Sequence, residues 1–241
     1  MAWLRMRRGM VGIEAAIVLI AFVIVAAALA FVVLNMGFFT TQRSQQVISS
    51  GLGEASTALE VDGSVLAYSH AGSKVDYVAI PIKVSPGREA VDLFPGRASI
   101  VYWSSSGSFA DIYVAYGYIS YSNGNYTLNL YNSNGNSVLN NSIIGSSINI
   151  TKIVETINDT KPYNETDIYA VVIWIDSNQN GADTNLELGE KAMVLIVFNK
   201  DEIKPEEYDV IKVEIKPPEG ATLTVERTMP PGIPAGVIDL G

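Results

Sequence analysis

The apolar positions of this chain follow two patterns that change over near residue 60. From Ala15 to Leu34, twenty consecutive residues carry no charge, proline or glycine. Coiled as a helix at about 1.5 Å per residue, such a run reaches roughly 30 Å, the hydrocarbon thickness of a bilayer. Asn35-Met-Gly37 and Thr40-Thr-Gln-Arg43 then break the apolarity, yet Val47, Ile48, Leu52, Ala55 and Leu59 recur at helical spacing. The pattern predicts one long helix, membrane-spanning at first and amphipathic afterwards, ending at about Leu59. From Val61 onward the period shortens to alternation punctuated by turn residues, and strands are expected at 77–84, 98–103, 112–121, 126–131, 168–175, 192–198, 210–215 and 222–225. Pro81 should place the first of these at an edge or bulge, because proline donates no ladder hydrogen bond. The fold class expected is α+β: a long N-terminal hydrophobic α-helix followed by an all-β immunoglobulin-like sandwich. Its parts are a leader, 1–9, an assembly helix, 10–60, and an outer domain, 61–241.

Arg5, Arg7 and Arg8 precede the apolar run, and one carboxylate, Glu14, stands at its start. A secretory signal peptide has a shorter apolar core closed by small residues, which Asn35-Met-Gly37 does not supply. Cleavage is expected before the helix instead, at Gly9/Met10, where glycine lets a protease approach the backbone and the arginines hold the segment at the cytoplasmic face. Met10 then becomes the mature amine. A carboxylate at the border of an apolar helix is costly to bury unpaired, and that amine is the nearby cation. In a helical stack, Glu14 of one copy would meet the Met10 amine of another and set the axial register; the alternative is that Glu14 sits in the headgroup region, beside the positively charged flank, for solvation.

Arg8-Gly9 followed by Met10-Val-Gly-Ile-Glu14 and a long apolar helix resembles the class III signal of type IV pilin-like proteins. Gly12-Ile-Glu14-Ala-Ala-Ile-Val-Leu-Ile-Ala-Phe22, the segment Asn35-Met-Gly-Phe-Phe-Thr-Thr-Gln42 and the late Leu223-Thr-Val-Glu-Arg-Thr228 are similar to archaellins, the archaeal flagellins. The resemblance covers both ends of the chain, and the middle only as a pattern of strands. It implies a self-assembling extracellular filament for swimming, a prepilin-type signal peptidase, a membrane assembly machine driven by ATP, and a membrane-inserted precursor. The runner-up readings are an archaeal adhesion pilin and a single-pass membrane-anchored binding domain that keeps residues 1–9.

Composition narrows the remaining classes. The formal charge of −9 becomes −12 when three arginines and no acid leave with residues 1–9, which disfavours nucleic-acid binding. The chain has no cysteine, so no disulfide framework supports the outer domain. Five Asn-x-Ser/Thr sequons, at Asn125, Asn140, Asn149, Asn158 and Asn164, cluster in an Asn- and Ser-rich stretch and suit N-linked glycans on an exported surface. The part from Ser122 to Ser147, with Asn123-Gly124 and Asn134-Gly135 able to form tight turns, is expected on the outer rim.

One local motif has the spacing of a metal loop. Asp176, Asn178 and Asn180 occupy positions one, three and five of the twelve-position calcium loop, Gly181 is at six and Glu187 at twelve. The Ala182 carbonyl and Thr184 add oxygens, Asp183 competes with Glu187 as closing ligand, and Glu190 is a further candidate. Strands rather than helices flank this loop. Calcium or another divalent cation is the ligand it suits, and a metal-free Asn/Asp/Gly hairpin is the alternative. Archaellin-like domains carry metal sites in loops of this kind, which the resemblance adds. No catalytic set is visible: the single histidine, His70, has no nucleophile partner, and an enzyme is not expected.

Overall fold

The computed structural model describes residues 7–55, 58–87, 90–158, 167–176 and 183–241. The chain divides into two units, Met1–Gly53 and Glu54–Gly241.

The first unit is a single helix, α1 (Arg7–Ala55), of 49 residues. No proline interrupts it, and its apolar half is rich in alanine, which coils at little entropic cost. In the polar stretch after Asn35 the hydroxyls are satisfied within the helix: Thr40 Oγ1 donates to the Met36 carbonyl at 2.8 Å and Thr41 Oγ1 to that of Gly37 at 2.9 Å. The end falls earlier than the expected Leu59. Gly51 and Gly53 weaken the last turns, and Leu59 is drawn into a strand, where it pairs with Val84 and is buried. The boundary at 60 therefore moves to 53/54.

The second unit contains β1 (Leu59–Val61), β2 (Leu66–Ser69), β3 (Tyr77–Val84), β4 (Ala90–Asp92), β5 (Ser99–Ser104), β6 (Gly107–Phe109), β7 (Tyr113–Ser122), β8 (Asn125–Asn132), β9 (Ser137–Gly145), α2 (Ile150–Asn158), β10 (Ile168–Asp176), β11 (Asn185–Glu187), β12 (Lys191–Phe198), β13 (Val210–Lys216), β14 (Leu223–Thr228) and β15 (Gly236–Asp239). A nine-stranded sheet runs β15-β2-β3-β12-β10-β7-β8-β9, with β1 also on β3. A four-stranded sheet, β14-β13-β5-β6, and a two-stranded ribbon, β11-β4, complete the layers. Neighbours in the large sheet are antiparallel except β10 and β7.

All eight expected strands are present, and the layered reading holds with an addition. One face of the large sheet, through Ile80, Ile82, Val172, Val194 and Ile196, joins Ile100, Tyr102, Val213 and Ile215 of the small sheet in one core. The other face, through Ala79, Val171, Leu195, Leu128 and Leu130, packs with Ile153, Val154 and Ile157 of α2. Central strands β3, β10 and β12 are thus buried on both sides, which is why they read as near-continuous apolar runs.

Pro81 does not lie on an edge strand. β3 pairs with β12 along one side; on the other, β2 pairs with residues 77–79 and β1 with 82–84. The Pro81 carbonyl accepts from Asp62 N–H on that second side, so its donorless nitrogen faces the gap between the two short strands. At the β7–β8 connection, Asn123 and Gly124 both take positive φ, 52° and 82°, and form the expected two-residue turn. The Asn134-Gly135 connection is wider. The Asn132 carboxamide accepts the N–H groups of Asn134 and Asn136, making a four-residue loop instead of a tight hairpin.

Candidate assembly helix and surface sites

Along α1 every side chain described, from Gly12 to Leu52, is exposed, Phe22, Leu29 and Phe39 included. Among the described residues this is a continuous exposed apolar surface that nothing in its own unit covers. Glu14 is exposed on the same helix and lies beside Ala15, Val18, Leu19 and Phe22. Gly9 and Met10 fall within the helical backbone; the Met10 side chain is outside the described residues, so its pairing with Glu14 is not placed.

The sequons separate by surroundings. Asn125 opens β8, half-buried, and the hydroxyl of its Thr127 is buried against Ser120 Oγ at 2.7 Å. Asn140 lies exposed on β9. Asn149 caps α2: its Oδ1 accepts the N–H groups of Thr151 at 3.0 Å and Lys152 at 3.4 Å. Thr151, the hydroxyl residue of that sequon, bonds Tyr77 Oη at 3.0 Å, and burial pushes the Tyr77 hydroxyl up to about 12. Asn158 ends α2 with its side chain outside the described residues, as is Asn164 altogether.

Asp176 is the last residue of β10 and its side chain is not described; Asn178, Asn180 and Ala182 lie outside the described residues. The far end of the loop is not a plain hairpin. Here β11 pairs with β4, joining Asn185 to Asp92. Thr184 Oγ1 donates to Asp92 Oδ1 at 3.2 Å, Leu93 N–H to the Thr184 carbonyl at 2.9 Å, and Asp92 also holds the Arg97 guanidinium. Asp183 Oδ1 accepts Asn185 N–H at 3.0 Å, a turn that leaves its other oxygen outward. Buried Glu190 accepts Glu187 N–H on Oε2 at 3.1 Å and fixes the turn into β12, while Glu187 itself is exposed. Of the closing candidates, Asp183 and Glu187 are exposed, while Glu190 is buried and serves the turn. Among the described residues no three carboxylates or histidines gather in metal-binding geometry. Asp92 was not anticipated, because it reaches Thr184 only through ribbon pairing across 92 residues.

A fully exposed apolar rod joined to a domain that closes its own core defines a class: a subunit completed by lipid or by other subunits. The comparisons agree. A sequence profile of the archaeal-type flagellin family matches residues 9–227. Probable flagellin 1 of Aeropyrum pernix is 43% identical over 239 residues, covering 99% of this chain and 100% of that one. Probable flagellin 1 of Archaeoglobus fulgidus is 29% identical over 239 residues, 97% of this chain and 95% of its own. In fold, the crystal structure of archaeal flagellin FlaB1 from Methanocaldococcus jannaschii is similar over 76% of this chain and 95% of that chain, with a TM-score of 0.51 at 19% identity. The chain belongs to the archaeal-type flagellin family. It is a structural, self-assembling filament subunit for motility and not an enzyme.

Proposed function

We propose that the chain is made as a membrane-inserted precursor, loses residues 1–9 to a prepilin-type signal peptidase at Gly9/Met10, and passes through the membrane assembly machinery into an extracellular homopolymer that turns for swimming. The exposed apolar surface of α1 carries this reading. Fully burying a leucine, isoleucine, valine or phenylalanine is worth about 1.5–3 kcal/mol each, so α1 left in water would be strongly unfavourable. A bilayer accommodates it first. Leaving lipid gains no further hydrophobic energy, so packing must replace it, and Ala21, Ala26, Ala27, Ala28 and Ala30 allow helices of neighbouring copies to approach closely. Register then follows from Glu14 of one copy pairing with the Met10 amine of the next.

Two surface chemistries belong to the same proposal. N-linked glycans occupy at least two of the five sequons, and a calcium-like cation is held among Asp176, Asn178, Asn180, the Ala182 carbonyl, Thr184 and, as closing ligand, Asp183 or Glu187. The loop spacing and the exposure of Asp183 and Glu187 support the second. The experiment is mass spectrometry of filaments sheared from the source cells, with swimming scored after gene deletion. A mature chain beginning at Met10 and loss of swimming with attachment intact is the expected result. A chain that retains Met1 to Gly9 in the membrane would overturn the proposal in favour of an anchored domain.

A further inference from the structure

The large sheet has two edges, and they are built differently. β9 closes one of them with nine residues, and its ladder with β8 is broken by three register shifts. It carries the exposed Asn140 sequon, with Asn125 on β8 beside it. Irregular pairing and bulky modification are both devices that stop an edge strand from recruiting another chain. β15, at the other edge, has neither.

Among the described residues β15 pairs with β2 alone. Leu240 N–H donates to the Val65 carbonyl, so by the alternation of a strand Ile238 and Gly236 also face β2, and the N–H and C=O groups of Val237 and Asp239 point outward. Val237 is 64% exposed and stands in register with Tyr68, whose ring stacks on Tyr77 at 4.8 Å. Leu66, Tyr68 and Val237 floor a groove of about 250 Å³ whose far wall is Ile148, Asn149 and Ile150 from the entry to α2. None of the groove's lining residues is charged.

We infer that the outer edge of β15 and this groove are a contact surface for a second copy of the chain within the filament, with the β9 edge turned to solvent. The inference rests on the filament reading. A filament grows by contacts that repeat between unlike surfaces without closing, so each copy needs faces that accept a neighbour. Copies of a chain at −9, or −12 once the leader has gone, repel wherever they meet charge to charge. A groove lined by apolar and neutral polar side chains, beside open backbone groups with Asp239 as the one charge on the strand, is where that repulsion is small and where strand addition and side-chain burial act together. The β9 edge, with its broken ladder and exposed Asn140 sequon, suits that role less, and glycan on Asn140 would close it. The same logic has a second consequence: Asn149 lies in the groove, so its sequon stays bare in the filament.

The absence of native cysteine makes the test direct. Val237→Cys and, on the opposite edge, Ser137→Cys are introduced separately into the full chain, and maleimide labelling is timed in intact filaments and in detergent-dissociated subunits. The Val237→Cys thiol should label at least about tenfold more slowly in filaments than in subunits, as expected of a packed contact, while the Ser137→Cys thiol labels within about twofold of the same rate in both. Equal rates for Val237→Cys in the two states would overturn the inference, as would glycan on Asn149 in native filaments. Val237→Lys should abolish or shorten filaments while its detergent-dispersed subunit keeps the circular dichroism of the parent; normal filaments from it count against the contact. If the parent chain forms no filaments at all, the filament reading itself fails, which is a separate outcome.

Discussion

Leu29 in α1 and Leu195 in β12 are the same residue in opposite circumstances: Leu29 is 62% exposed and Leu195 is completely buried. The contrast extends to whole regions. The helix presents its valines, isoleucines and phenylalanines outward along its described length, whereas the outer unit encloses its own between the large sheet, the small sheet and α2. Stability of the outer unit is therefore a property of one chain. That of the helix is a property of its surroundings, which on the proposed reading are lipid before assembly and neighbouring subunits afterwards. A substitution should accordingly report on folding in one region and on assembly in the other.

The largest separation should come from a charge in the helix. Ile24→Asp places a carboxylate mid-run, at a cost of about 2.5–3.5 kcal/mol for membrane insertion. Filaments should disappear under electron microscopy while the thermal unfolding of the outer unit in detergent is unchanged; a fall in that transition would show that the two regions are not independent. Next is the matched pair. Leu195→Ala should lower outer-unit stability by about 2–5 kcal/mol in denaturant titration, whereas Leu29→Ala should leave it within about 0.5 kcal/mol and affect filament yield instead.

Gly117→Ala sharpens the point within the outer unit. Gly117 sits opposite Leu130 in the β7–β8 ladder, and a methyl group there would overlap the Asn129 carbonyl oxygen and the Leu130 side chain. Overpacking of this kind costs about 1–3 kcal/mol, to be read as a shift in the denaturant midpoint with the slope unchanged. The smallest effect is electrostatic. Hydrogen bonds from Lys191 and Lys83 hold Asp62 below its ordinary 3.8, and Lys212 and Lys216 hold Glu214 below its ordinary 4.5. Carboxylates lowered in the folded state stabilise it above their ordinary values and lose that contribution as pH falls through the lowered ones. A modest decline in outer-unit stability below about pH 4 is expected, and Asp62→Asn should flatten part of it.

What could be read from the chain beforehand depended on how local each signal was. Strands β3, β10 and β12 were legible because burial on both faces turns them into continuous apolar runs bounded by turn residues. β1, β2 and β15 were not, since three or four residues hold too little of a period to stand out from loop. α2 did carry its signal, Ile150, Ile153, Val154 and Ile157 at helical spacing behind the cap Asn149, but the stretch was read for its sequons and not for its period. The metal-loop spacing was visible in full, whereas the contact of Asp92 with Thr184 was invisible, because no local pattern relates residues so far apart.

By itself, the order of residues determined a helix that cannot be left in water, a change of period near residue 60 and a carboxylate at the helix border, because coiling, apolarity and charge are local properties. Only the tertiary structure decided that β11 finds β4, that Pro81 fits between β1 and β2, and that the two edges of one sheet are unlike. Those outcomes come from pairing between distant strands, where the choice of partner is made by the backbone hydrogen bonds and burial left available once the central strands have packed.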